Sequence, residues 1–84
     1  MSTRMKNQPS RSEQMIIKRI KTALKFGKKV TVDGVTIRSI RFVNSEIEVE
    51  WNAELELGSD LAWAAIQPNY LHEYENGELE LKTH

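Results

Sequence analysis

Residues 28–51 read KKVTVDGVTIRSIRFVNSEIEVEW, and this stretch decides the fold. Val30 and Val32 run into Asp33-Gly34. Val35 to Val43 follow, then Asn44-Ser45, then Glu46 to Trp51. Asp-Gly between β-rich flanks is a strong two-residue hairpin signal, because a type I′ turn needs positive φ at both central positions. Asn-Ser is a weaker form of the same signal. The stretch therefore predicts two hairpins that share one long middle strand.

The parity of that middle strand carries more information. A two-residue turn at Asp33-Gly34 pairs Val32 with Val35 and Val30 with Ile37, and puts all four on one face. A two-residue turn at Asn44-Ser45 pairs Phe42 with Ile47, Ile40 with Val49 and Arg38 with Trp51. Val35 and Ile37 are odd positions, whereas Ile40 and Phe42 are even. Side chains alternate strictly along a flat strand, so one strand cannot point both sets at one core. Either a bulge lies near Arg38-Ser39, or the strand bends enough to serve two packed sheets. Bent middle strands of this kind suit small barrels and rolls, which manage their edges by closing. The alternative is an open sheet with one hairpin misassigned.

Working outward, residues 1–9 read as a disordered basic tail and residues 10–84 as a single domain. Ser10-Arg11-Ser12-Glu13 fits a capping box at the start of a helix over 11–26. Ile16, Ile17, Ile20, Ala23 and Leu24 form one stripe at helical spacing, with Lys18, Lys21 and Lys25 opposite it and Arg19 on its flank. Gly27 is placed to end the helix and Phe26 to cap the core. Beyond Trp51, Glu54 to Leu57 resumes a strand alternation. Gly58-Ser59-Asp60 reads as the cap of a short apolar helix, Leu61 to Ile66, which Pro68 stops. Tyr70 to Glu75, Asn76-Gly77 and Glu78 to Lys82 read as a third hairpin. The predicted class is α+β. An amphipathic N-terminal helix packs on a strongly bent antiparallel sheet, roll or barrel of about five strands built from hairpins, with one short extra helix.

A helix followed by V-x-V-D-G-V-T-I-R, within residues 11–51, resembles the opening of the Sm-like barrel family. The resemblance implies a small closed barrel with an N-terminal helix and carries no site residues across. The family's base-stacking signature is not recognisable in this chain, and the Leu61–Ile66 segment has no counterpart in the family.

Eighty-four residues make one core. With no Cys there is no disulfide framework, thiolate chemistry or zinc–sulfur site. The N-terminus lacks the apolar run of a secretory signal, and no apolar run approaches a membrane span. The reading is a soluble cytoplasmic protein that needs no membrane. The chain shows no G-x-S-x-G, and its two histidines are His72 and the last residue, His84. A catalytic constellation is therefore not predicted. No cofactor is implied. Glu73, Glu75, Glu78 and Glu80 would face one another in pairs across a two-residue Asn76-Gly77 turn. They are read as solvated charges that protect a sheet edge, because their spacing matches no calcium loop.

The formal net charge of zero hides a polarity. Eleven of the twelve Lys and Arg lie in residues 1–41 against Glu13 and Asp33, giving +9, while residues 42–84 hold ten acids and Lys82, giving −9. Lys18, Lys21, Lys25, Lys28 and Lys29 form a candidate nucleic-acid surface that tracks phosphates, with the basic tail adding long-range attraction. Glu46, Glu48, Glu50, Glu54 and Glu56 alternate with apolar residues and form a candidate acidic strand face. Three uses follow for a small non-enzymatic binding or regulatory module. The basic helix binds nucleic acid or a nucleoprotein. Or the acidic face docks on a basic surface of another protein as an inhibitor or decoy. Or the two faces meet head-to-tail in a homo-oligomer.

Overall fold

The computed structural model describes residues 8–52 and 63–84. In chain order the elements are α1 (Arg11–Lys25), β1 (Val30–Val32), β2 (Val35–Val43), β3 (Glu46–Trp51), β4 (Trp63–Ile66), β5 (Tyr70–Glu73) and β6 (Leu79–Lys82). The strands form one six-stranded sheet in the order β4-β3-β2-β1-β6-β5.

Local signals set the ends of α1. The Ser10 Oγ accepts from the Glu13 N–H at 3.2 Å, and the Ser10 N–H donates to Glu13 Oε1 at 2.7 Å, which completes the capping box. At the other end Gly27 takes φ +75°. Its N–H donates to the Leu24 carbonyl at 3.1 Å, and the Lys28 N–H donates to the Ala23 carbonyl at 2.9 Å. These two bonds make a Schellman motif, which turns the chain sharply toward β1. Ile17, Ile20 and Ala23 are buried against the sheet, and Ile16 and Leu24 pack beside them.

Both predicted two-residue turns form with positive φ at each central residue: 49° and 87° at Asp33 and Gly34, 52° and 64° at Asn44 and Ser45. Val32 lies opposite Val35, Ile40 opposite Val49 and Phe42 opposite Ile47. The predicted pairing of Arg38 with Trp51 is corrected. Trp51 faces Ile37, Glu50 faces Ser39, and the register shifts between Ile37 and Ser39. Arg38 is thus the extra residue of a β-bulge. The bulge resolves the parity conflict: Ile37 and Ile40 both reach the core, at 2% and 3% exposure.

Four further expectations are corrected. Among the described residues the sheet has six strands and is not closed into a barrel, with β4 and β5 at its ends. It is mixed, because β6 runs parallel to β1, with Val30 beside Leu79 and Val32 beside Leu81. The extra helix is not found where it can be checked. Trp63–Ile66 is a strand, paired to β3 through Val49 and Ala64 and through Glu48 and Ala65. The apolar run was too short for its period to separate helix from strand, and pairing with β3 outweighs the helical preference of Ala64 and Ala65. The predicted cap at 58–60, Leu61, and the strand at 54–57 lie outside the described residues, as do residues 1–7 of the tail. Finally, the third hairpin is offset by one. Glu73 faces Leu79 and His72 faces Glu80. The loop is longer than two residues: the Tyr74 N–H reaches the Glu78 carbonyl at 2.9 Å and the Gly77 N–H the Tyr74 carbonyl at 3.0 Å. With Gly77 at φ +91°, this is a turn followed by a glycine bulge.

The parallel pair is fastened at its far end. The Asp33 N–H donates to the Leu81 carbonyl at 2.9 Å. The Asp33 carboxylate accepts from the Thr83 N–H at 3.0 Å and the Thr83 hydroxyl at 2.6 Å. The hydroxyl bond, then the backbone bond, hold the Asp33 pKa below its ordinary value.

Two outcomes are expected. Deleting Arg38 throws one of the two apolar sets out of the core, and cooperative urea unfolding is lost. Arg38→Ala keeps the residue count and shifts the unfolding free energy by less than about 0.5 kcal/mol. Because the Asp33 pKa is lowered on folding, its contact with Thr83 stabilises at neutral pH and is lost as the pH falls through the folded-state pKa. Thr83→Val should raise the Asp33 midpoint in an NMR carboxylate titration; an unmoved midpoint would refute this tie.

Candidate nucleic-acid interface

Helix α1 covers one side of the sheet, over β1 and β2, so its stripe is buried and its cationic flank faces outward. Lys18, Lys21, Lys25, Lys28 and Lys29 are all exposed, and none is paired with a carboxylate among the described residues. They do not form one row. Lys18 and Lys28 meet at a groove between the C-terminal half of α1 and the β5–β6 hairpin. Lys21 stands with Lys18 at a neighbouring cleft beside Gln14 and Phe42, and Lys25 lies outside both. Lys29 belongs elsewhere, beside Tyr74, Glu78 and Glu80.

The groove has a volume of about 360 Å³. Ala23 and Leu79 contribute apolar lining, and Lys18, Arg19, Lys28 and Glu73 bring charge to it. Arg19 and Glu73 form an ion pair that ties the helix to β5, so this pair adds little net charge to the groove. The Lys28 side chain passes close to the hairpin turn: a Cβ on Gly77 would stand 3.2 Å from the Lys28 Cε. The remaining wall is Phe26, which corrects the expectation that it caps the core. Phe26 is 71% exposed. At 100° per residue it sits about 120° from the centre of the apolar stripe, on the side of Arg19 and Thr22. That angle was the available sequence signal.

The acidic residues of β3 point the other way. Glu46, Glu48 and Glu50 alternate with the buried Ile47 and Val49, and so share the face opposite α1. Glu54 and Glu56 lie outside the described residues. On this face Arg41 sits opposite Glu48, as its register predicts, with Nε 2.8 Å and Nη2 2.7 Å from Oε1. The same guanidinium lies 3.8 Å from the centroid of Trp63, across β3 on β4.

Farther along the same face, β5 presents Tyr70 and His72, with Tyr74 continuing the alternation just beyond the strand. Ring centroids are 6.3 Å apart for the first pair and 4.5 Å for the second. The Tyr74 hydroxyl donates to Glu80 Oε1 at 2.8 Å. That bond, then desolvation and the charges of Glu80 and Glu78, raise the Tyr74 pKa above its ordinary value. The four glutamates of the third hairpin are therefore dispersed: Glu73 pairs toward the helix and Glu80 toward Tyr74. Among the described residues no group of three or more His, Cys, Asp or Glu side chains is placed to hold a metal ion. No described helix is long and apolar enough to cross a membrane.

No family model, curated protein or solved structure matches this chain. The chemistry is therefore read from its own residues.

One outcome follows from the aromatic edge. Glu80→Ala should lower the Tyr74 pKa toward the ordinary phenol value, measured by ultraviolet difference titration in a Tyr70→Phe background. No movement would show that the Glu80 bond does not govern this phenol.

Proposed function

We propose that the protein is a small non-enzymatic binding module that takes nucleic acid on the α1 side of its sheet. The observation that carries this reading is the separation of charge across the sheet. Unpaired lysines line α1 and the turn after it, whereas Glu46, Glu48, Glu50 and Glu80 occupy the opposite face together with Arg41 and Lys82. An anionic polymer is attracted by the lysines of the α1 side more than by the mixed charges of the other face, so the field favours one orientation before any contact forms. Lys18, Lys21, Lys25 and Lys28 lie on or beside the attracting surface; Lys29, next to Glu78 and Glu80, contributes less.

A second reading rests on Arg41. The acidic face already holds a guanidinium between Glu48 and Trp63, the arrangement that an arginine of a basic partner would copy. In this reading Glu46, Glu48 and Glu50 dock on a basic surface, that of another protein or the α1 of a second copy, and the module acts as an inhibitor or assembles head-to-tail.

Fluorescence anisotropy with random-sequence DNA and RNA at low salt separates the two. The first reading expects binding whose log–log salt slope is roughly −0.7 to −0.9 per phosphate contacted, abolished by combining Lys18→Glu, Lys21→Glu and Lys25→Glu. Absence of binding at the lowest salt overturns it. The second reading then requires a basic protein, or self-association visible by sedimentation, that is lost on Glu46→Gln, Glu48→Gln and Glu50→Gln.

A further inference from the structure

The groove between α1 and the third hairpin goes further than charge. We propose that it takes an unpaired nucleobase stacked on Phe26, so that the ligand of the α1 surface is single-stranded rather than duplex nucleic acid. This rests on the nucleic-acid reading above and names the form of the polymer.

Three features of the groove favour a base over a phosphate at its centre. A large aromatic ring left 71% exposed is not stabilised by the core, and it offers a flat apolar surface beside apolar lining from Ala23 and Leu79. Every base has a π-face, so such a ring binds without regard to sequence. Next, the cations are asymmetrically placed. Lys18 and Lys28 are free to meet the phosphates that flank a stacked base, while Arg19 is already engaged by Glu73. Last, the Arg19–Glu73 pair neutralises itself, so the free positive charge of the groove lies with Lys18 and Lys28 and not at its β5 side. A duplex offers its phosphates to Lys18 and Lys28 but no base face to Phe26, because its bases are stacked on one another inside the helix. The Schellman turn at Gly27 fixes both sides of the arrangement: it ends the helix at Phe26 and sends Lys28 back across Gly77.

The test uses the full chain with a short oligothymidylate, the same strand annealed to oligoadenylate, and polyglutamate as an anionic control, all at one low salt concentration. The single strand is expected to bind at least about tenfold tighter than the duplex, in line with one stacked base. Phe26→Ala should remove that preference and leave the weaker, salt-dependent binding in place. Phe26→Tyr should restore it. Because Phe26 is exposed, circular dichroism of Phe26→Ala should match the parent protein. Equal binding of single strand and duplex, with no effect of Phe26→Ala, overturns the stacking proposal and leaves the nucleic-acid reading intact. Polyglutamate bound as tightly as the single strand also overturns it. Failure of every nucleic acid to bind removes both.

Discussion

One residue of offset in the middle of β2 holds the fold together. Without the bulge at Arg38, the hairpin before it and the hairpin after it would bury opposite faces, and α1 would find apolar cover over only half the sheet. With it, Val30, Val32, Ile37, Ile40, Ile47 and Val49 share one core. Leu79 and Leu81 extend that core through the parallel pairing of β6 with β1. Each of these is a β-branched or branched aliphatic residue whose burial depends on strand parity, and parity is all or nothing at every position.

A second consequence of the bulge is that the polar residues of β2 and β3 share the face away from the core. Once the core is on one face, Glu46, Glu48 and Glu50 must stand on the other, and so must Arg41. The helix crosses the core face, so its lysines look outward from the opposite side of the molecule. The α1 side thus carries exposed lysines, while the opposite face carries Glu46, Glu48, Glu50 and Glu80 with Arg41 and Lys82 among them. Glu48 is partly answered by Arg41; the exposed lysines of α1 have no such answer among the described residues.

The groove has no single author in the chain. Its helix wall is fixed by the Schellman bonds at Gly27, and its far wall by a hairpin whose glycine bulge sets both the register of β5 and the path of Lys28. Arg19 and Glu73, far apart in sequence, close one side. Small positional choices at Gly27 and Gly77, both with positive φ, therefore decide where a cation and an aromatic ring meet.

Much of this was legible in the residues alone. Turn chemistry at Asp33-Gly34 and Asn44-Ser45, the capping box at Ser10 and Glu13, the helical stripe and the need for a bulge or a sharp bend near Arg38 are local, because each depends on groups only a few positions apart. Other features needed the assembled chain. Trp63–Ile66 became a strand only because β3 offered it a free edge, and the third hairpin took a longer loop that leaves its glutamates dispersed. No short-range pattern announces that β6 will lie parallel to β1, since that pairing joins distant segments through backbone groups every residue possesses. Phe26 shows the division most plainly: its angle on the helix was written in the sequence, but the groove it borders came into being only when the hairpin docked beside it.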